Sequence, residues 1–219
     1  MANFLEDNED LKFYLEKYID WEPLVKLVEY DFKMNDGFEN NAEAKEFYTD
    51  VLNMVGELVA NEIAPRAKAI EENPVKMVDG EVVGSPEFDA IFEQINEVGL
   101  HGLCLPRELG GMNAPLLVYM LAGEMFSRAD VSVMTHHSFH GGMALAMLLF
   151  SVMEGSTEID LETMTMKKTR FQKEIEEIVT GQAWGSMDIT EPDAGSDMGA
   201  LRTKAEQDED GNWFVTGEK

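Results

Sequence analysis

The chain has 219 residues and a strongly acidic composition. Its 43 acidic and 17 basic residues give a formal net charge of −26 at pH 7. Because phosphate backbones and anionic membrane surfaces repel such a chain, neither nucleic acid nor a membrane is an expected partner. The length predicts one or two globular domains with a buried core. The single cysteine, Cys104, excludes an internal disulfide.

Residues 1–41 are predicted to form an acidic helical extension. Apolar residues recur there at helical spacing, with Asn8 as an N-cap and an interruption at Pro23. The recurring residues are Leu11, Tyr14, Leu15, Tyr18, Leu24, Val28 and Phe32. The excess of acidic residues indicates a solvated face or an inter-subunit contact rather than a site. Residues 35–41 have the composition of a linker.

Residues 42–181 are predicted to form an all-α domain. A first helix carries an apolar stripe and stops at Pro65. The stripe consists of Val51, Leu52, Val55, Leu58, Val59 and Ile63. A second helix begins at Ser85-Pro86, with serine as the cap, and ends at Gly99. Between the two helices, Asp79-Gly80 predicts a short hairpin.

Three further helices are expected in this domain, at 114–127, at 131–150 with Asp130 as its cap, and at 156–180. The apolar stretch 131–153 approaches the length of a membrane span. It also carries three histidines and a glycine pair, which favours a buried helix. No signal sequence is recognised at the start of the chain, and we therefore expect a cytoplasmic protein.

Several isolated side chains could have either a functional or a purely structural role. His136 and His140 could share a helix face as a metal pair does, but no glutamate completes a zinc motif, and a packed or partly solvated histidine cluster is favoured. Cys104 lies in an apolar run, which predicts a buried, inert thiol. Asp208 and Asp210 could hold calcium, although a polar hairpin tip is far commoner.

At Gly181 the apolar period changes from helical to alternating, and we place a domain boundary there. Residues 181–189 and 200–206 alternate as strands do. Between them lies the loop Thr190–Asp197, which contains a proline, a glycine and two hydroxyl side chains. Such a loop is either a cradle for an anion or a cofactor, or a tight surface turn.

The string Trp184–Gly199 (WGSMDITEPDAGSDMG) closely resembles the first signature of the acyl-CoA dehydrogenases. Residues 201–205 and the hairpin 208–219 are similar to the next two strands of that family. The run Gly99–Gly111 (GLHGLCLPRELGG) is similar to a loop of its N-terminal domain. The resemblance implies an α+β fold: an all-α N-terminal domain, then residues 182–219 as the first strands of a flavin-binding, β-barrel-like middle domain, with the C-terminal helical bundle missing.

The resemblance also implies a cofactor, FAD, and its contacts. By position, Met187, Ile189 and Thr190 would contact the flavin ring. Ser196 would contact the flavin or the acyl-CoA ester, as both a cofactor-binding and a substrate-binding residue. Glu191 and Asp197 are expected to brace the loop. No metal site and no catalytic residue are predicted, because the family's proton-abstracting carboxylate is expected beyond residue 219.

The implied function is the α,β-desaturation of an acyl-CoA thioester, with electrons passing to an electron-transfer flavoprotein. The alternatives are a related flavin oxidase or monooxygenase, and a non-enzymatic scaffold subunit. We expect a homo-oligomer, a tetramer or a dimer, or else a second polypeptide that supplies the C-terminal half. The 219-residue chain alone is predicted to be inactive. Simple short acyl chains are less favoured as substrates than bulky or functionalised ones.

Overall fold

The computed structural model describes residues 2–219, which divide into two compact units. One unit extends to Gly185 and the other runs from Ser186 to Lys219. The helices are α1 (Glu9–Phe13), α2 (Trp21–Val28), α3 (Asn41–Leu58), α4 (Ala67–Glu72), α5 (Pro86–Glu97), α6 (Leu116–Ala129), α7 (Val131–Met153) and α8 (Gln172–Val179). The strands are β1 (Lys76–Val78), β2 (Glu81–Val83), β3 (Glu158–Asp160), β4 (Thr165–Lys168), β5 (Lys204–Gln207) and β6 (Trp213–Thr216). The α+β class is therefore confirmed.

Helix starts follow the sequence closely, because capping side chains satisfy the free N–H groups of the first turn. Asn8 accepts hydrogen bonds from two backbone N–H groups of α1, and Ser85 accepts one from Phe88. Asp130 accepts from Ser132 and Val133 at the start of α7. All three predicted caps are confirmed, as is the hairpin at Asp79-Gly80 that joins β1 to β2.

The core of the helical unit is built mainly from α3, α5 and α6, and the predicted stripe of α3 lies inside it. The residues before α3 belong to the same core, because Leu5, Leu11, Leu15, Trp21 and Val25 are buried in it. A second apolar cluster joins α7, α8 and the loop before α6. Its members are Leu105, Leu109, Ala144, Leu148, Ile175, Ile178 and Val179.

Residues 156–180 were expected to form one helix, and that prediction is wrong. The segment contains the antiparallel hairpin of β3 and β4, followed by α8. The Asp160 carboxylate accepts the backbone N–H groups of Glu162 and Thr163, and Met164 is left-handed with φ 53°. A side chain that bonds its own backbone two and three residues on stabilises a turn in place of a helix.

The second unit contains one antiparallel hairpin, β5 paired with β6. Its tip is polar, as expected: the Asp208 carboxylate accepts N–H groups from Asp210 and Asn212. All eight strand residues are exposed. The strand predicted over 181–189 is not formed, and the strand predicted from residue 200 begins only at Lys204.

Candidate functional site

The loop Pro106–Asn113 follows the short turn that ends α5 and depends on two glycines. Gly110 is left-handed with φ 79°, a conformation that glycine adopts without steric cost. Gly111 passes so close to the turn at residues 103–105 that a Cβ atom there would lie 2.0 Å from the Leu105 carbonyl oxygen. The glycine pair is thus explained by backbone packing, and Leu105 is fixed at the wall of a cavity.

That cavity lies between α6, α7 and residues 101–105 and has a volume of about 190 Å³. It is lined by His101, Cys104, Leu105, Leu116, Tyr119, Met120, Gly141, Gly142 and Leu145. No carboxylate is among the described residues that line it. Burial raises the pKa of the Cys104 thiol to about 12 and that of the Tyr119 hydroxyl to about 12. Both groups therefore stay protonated, and the cavity is suited to an uncharged apolar group.

All four histidines of the chain lie in one cluster beside this cavity. The rings of His101 and His140 are 4.3 Å apart, and those of His101 and His137 are 5.4 Å apart. Three of the four are almost fully buried: His101, His137 and His140. Within residues 2–219 no group of three metal-ligating side chains has the geometry to hold an ion. The expectation of a packed cluster is confirmed.

Burial lowers the pKa of these imidazoles, and the neighbouring histidines lower it further. The pKa falls to about 2 for His101 and to about 4 for both His137 and His140. The cluster is therefore neutral at physiological pH. A neutral imidazole has one nitrogen that accepts a hydrogen bond, and Nδ1 of His140 accepts the backbone N–H of Gly185 at 3.1 Å.

Trp184 packs against the same histidines. Its ring lies 4.2 Å from that of His136 and 4.3 Å from that of His140. A Cβ atom on Gly185 would lie 2.6 Å from Cβ of Met143, so glycine permits this close approach to α7. The first two residues of the signature string are thus held on α7 and do not form a strand.

In the second unit, one carboxylate holds the loop Thr190–Asp197. Glu191 accepts the backbone N–H groups of Arg202 at 2.7 Å and Thr203 at 2.9 Å, and pairs with Lys219 at 3.1 Å. The backbone groups of Glu191 and Ala194 bond each other across the turn. The Thr203 side chain, those two N–H groups and Lys219 lower the pKa of Glu191 to about 2. The predicted bracing role of Glu191 is confirmed, and Asp197 likewise accepts the N–H of Gly199.

The residues proposed to face a cofactor lie on the accessible side of this unit. Met187 is 51% exposed, Ile189 is partly buried, and Thr190 and Ser196 are exposed. Within residues 2–219 neither hydroxyl donates or accepts a side-chain hydrogen bond, and a Cβ on Gly195 would meet no atom within 4 Å. The hydroxyl groups of Thr190 and Ser196 are therefore exposed and have no side-chain hydrogen-bond partner among the described residues.

Comparison with known proteins identifies the family. The profile of "Acyl-CoA dehydrogenase, N-terminal domain" matches residues 46–158, more than half of the chain. The chain therefore belongs to the acyl-CoA dehydrogenase family. A solved acyl-CoA dehydrogenase from Bacillus anthracis, complexed with FAD, has the same fold: the TM-score is 0.56 at 19% identity, covering 78% of this chain and 25% of that one.

Two relatives extend over nearly the whole chain, including the residues before α3. The 3-methylmercaptopropionyl-CoA dehydrogenase of Ruegeria pomeroyi is 26% identical over 96% of this chain. The butyryl-CoA dehydrogenase of Syntrophomonas wolfei is 26% identical over 99% of it. The chain spans about a third of the length of each, 32% in both cases. Among residues 2–219 no helix is long and apolar enough to cross a membrane.

Proposed function

We propose that this chain supplies the helical acyl-binding part and the flavin-facing loop of an FAD-dependent acyl-CoA dehydrogenase that desaturates an acyl-CoA thioester between its α and β carbons. The observation that carries the proposal is the signature loop, in which Glu191 is used for bracing while Thr190 and Ser196 remain free. Family membership supports the reaction class. We further propose that electrons leave through an electron-transfer flavoprotein.

The free groups of the loop fit the ring system of FAD. Thr190 and Ser196 would donate hydrogen bonds to its polar edge, and Met187 and Ile189 would contact its apolar face. FAD, when bound, would supply the acceptor for the substrate's β-hydrogen, which leaves as hydride. The hydroxyl groups of Thr190 and Ser196 would stabilise negative charge on the ring edge, which is how a protein tunes such a cofactor. Glu191, ionised and fully engaged, acts only by fixing the loop.

The apolar cavity of the helical unit is proposed to receive the end of the acyl chain. A cavity of 150 Å³ in another protein holds benzene, so 190 Å³ admits roughly six to eight non-hydrogen atoms. This volume favours a medium-length or branched acyl group. Relatives named for butyryl and for methylmercaptopropionyl substrates are equally similar to this chain, and their names support no narrower choice.

We assign no catalytic base. No carboxylate of residues 2–219 lines the cavity proposed for the end of the acyl chain, and the family resemblance implies that the proton-abstracting carboxylate lies outside these residues. The 219-residue chain by itself is accordingly proposed to be inactive with acyl-CoA and an artificial electron acceptor. Turnover at roughly the median enzyme rate of 10 s⁻¹ from this chain alone would contradict that assignment.

The cofactor assignment is tested by titrating the protein with FAD and following flavin fluorescence. Thr190→Val and Ser196→Ala should each weaken binding roughly three- to tenfold, the effect of losing one hydrogen bond. Thr216→Val, which changes an exposed threonine on β6, is the matched control and should bind as the parent does. Equal affinity in all three variants counts against the proposal.

A further inference from the structure

A carboxylate in the N-terminal segment is buried and paired with the Gly110-Gly111 loop. The side chain of Glu29, just after α2, is 0% exposed. Arg107 donates to both of its oxygens, from Nη2 to Oε1 at 2.7 Å and from Nη1 to Oε2 at 3.1 Å. The guanidinium also lies 5.0 Å from the ring of Phe38. Such a two-pronged pair fixes orientation as well as distance.

The local backbone is shaped to bury this carboxylate. Tyr30, Asp31 and Phe32 are all left-handed, with φ between 47° and 61°, which is rare for three successive residues other than glycine. A Cβ atom on Gly37 would lie 2.4 Å from Oε2 of Glu29, so only glycine leaves room for the carboxylate. Backbone strain of this kind persists only where the surroundings enforce it.

Asn113, at the far end of the loop, contacts the same segment. Its side-chain amide donates to the Val28 carbonyl oxygen at 2.8 Å and approaches Oε1 of Glu29 at 3.4 Å. Its own backbone N–H donates to the Leu105 carbonyl oxygen at 2.8 Å. Both ends of the loop, Arg107 and Asn113, are therefore attached to the residues around Glu29.

The loop in turn holds the wall of the apolar cavity. Backbone hydrogen bonds run from Met112 to Gly102, from Asn113 to Leu105 and from Ala114 to Leu103, at 2.8–3.0 Å. Residues 101–105 supply His101, Cys104 and Leu105 to the lining. A shift of the loop would therefore move this wall relative to α6 and α7.

We infer that Glu29 is a positioning residue: through Arg107 and Asn113 it sets the position of the cavity wall, and thereby the size of acyl group that fits. The assignment of the cavity to the acyl group rests on the proposed function. An apolar pair of similar volume stabilises a fold as well as a buried ion pair does, or better. An apolar pair lacks the fixed geometry of the two hydrogen bonds between Arg107 and Glu29, and the inference rests on this geometry.

The test combines Glu29→Gln with two measurements that need neither flavin nor acyl-CoA. The first is hydrogen exchange at the amides of Met112, Asn113 and Ala114. The second is the affinity of benzene, used as a small apolar probe of the cavity and followed by NMR. Glu29→Gln removes the charge at nearly constant shape, and we expect exchange at these amides to rise roughly ten- to hundredfold. Benzene affinity should change at least roughly threefold.

The matched control is Glu154→Gln, which breaks a similar two-oxygen pair with Arg170 on the exposed surface. Exposed pairs contribute little, so neither measurement should change. Arg107→Lys is the second variant if Glu29→Gln fails to fold, because it keeps the positive charge but cannot donate two parallel hydrogen bonds to the carboxylate. It should change the same amides and the same affinity in the same direction.

A purely structural role would raise exchange evenly, including at the amides of α5, and would leave benzene affinity unchanged. That result, or unchanged exchange at the loop, overturns the inference. In an active enzyme, Glu29→Gln should also alter KM across an acyl-chain series more than kcat. If Glu29→Gln changes benzene affinity but the protein binds no acyl-CoA, the positioning role of Glu29 stands and the proposed function is contradicted. Failure of the inference and failure of the proposed function can therefore be told apart.

Discussion

Two loops of this protein contain proline and glycine, and they use those residues in opposite ways. In the loop Pro106–Asn113, glycine allows backbone to pack on backbone, with a Cβ on Gly111 only 2.0 Å from a carbonyl oxygen. In the loop Thr190–Asp197, a Cβ on Gly195 would meet nothing within 4 Å. The first loop is held by backbone packing and by the contacts of Arg107 and Asn113 with the Glu29 segment. The second loop is held by the carboxylate of Glu191.

Loops of similar composition can therefore have different roles. One fixes the backbone of its neighbours, and the other leaves its side chains accessible to a ligand. The packed loop fixes the wall of an apolar cavity and has little freedom to move. The loop held by Glu191 leaves its hydroxyl groups in solvent, where a ligand can reach them. The two should therefore differ in how substitution and pH affect them.

The largest expected effect comes from alanine substitutions at the two glycines. Gly111→Ala should lower the free energy of unfolding by at least about 3 kcal/mol, because the new methyl group overlaps two backbone carbonyls. Gly195→Ala should leave it within about 0.5 kcal/mol of the parent. Urea unfolding of both variants measures the contrast. Equal losses in the two variants would show that the loops are built alike.

A second effect follows from the histidine cluster. The pKa of His137 and of His140 is lowered from 6.5 to about 4, mainly by burial. Below pH 6.5 these histidines are protonated in the unfolded chain, but in the folded unit they stay neutral until about pH 4. The free energy of unfolding is therefore highest above pH 6.5 and decreases as pH falls from 6.5 to about 4. The loss should be on the order of 3 kcal/mol for His137.

The N–H resonance of the Trp184 indole, which packs on these rings, reports the change by NMR. It should shift or broaden as pH falls through about 4, where His140 of the folded unit takes up a proton. The Trp213 resonance, from the exposed hairpin, should not. His137→Phe should reduce the pH dependence of unfolding, and a profile identical to that of the parent would contradict the role of burial.

The smallest effect concerns Glu191. Its pKa is lowered from 4.5 to about 2, so its bracing contribution is complete above pH 4.5 and is lost only as pH falls through about 2. Between pH 6.5 and 4.5 the loop should therefore keep its protection while the helical unit weakens.

In Glu191→Gln, hydrogen exchange at the amides of Arg202 and Thr203 should rise severalfold at pH 7 without a change in the helical unit. The exposed Glu209→Gln, at the hairpin tip, is the control. If exchange at these amides is the same in parent and variant, hydrogen bonds to the carboxylate do not hold the loop.

Local features of the fold could be predicted because they depend on neighbours in sequence. The caps Asn8, Ser85 and Asp130 bond N–H groups two or three residues away, and the hairpin tip at Asp208 is equally local. The bracing role of Glu191 followed from the resemblance of the loop to a known signature. The expected contacts of Met187, Ile189, Thr190 and Ser196 with a cofactor stay predictions.

The wrong predictions have long-range causes in addition to the local turn at Asp160. The segment predicted as a helix over 156–180 contains β4, where the N–H of Met166 donates to the carboxylate of Glu108 at 2.7 Å. The strand predicted over 181–189 does not form, because Trp184 and Gly185 pack on α7. Neither contact has a signal in the local sequence.

Glu29 was missed for a related reason. The surplus of acidic residues near the N-terminus predicted a solvated face, and this one carboxylate is completely buried. Its partner Arg107 is the one arginine or lysine of the mainly apolar run 99–111, and an arginine that packs there needs an anionic partner. That is the signal that could have found the pair.

The hairpin of β5 and β6 has a consequence for the behaviour of the 219-residue chain, taken by itself, in solution. Trp213, Phe214 and Val215 are between 59% and 72% exposed on a strand with an open edge. An apolar strand of this kind readily pairs with strands of other molecules and can begin aggregation. The acidic residues 208–210 flank this strand and disfavour its pairing with another molecule. The surplus of negative charge on the chain also opposes close approach of two copies. The acidity that excluded nucleic acid as a partner thus also protects this strand from self-association.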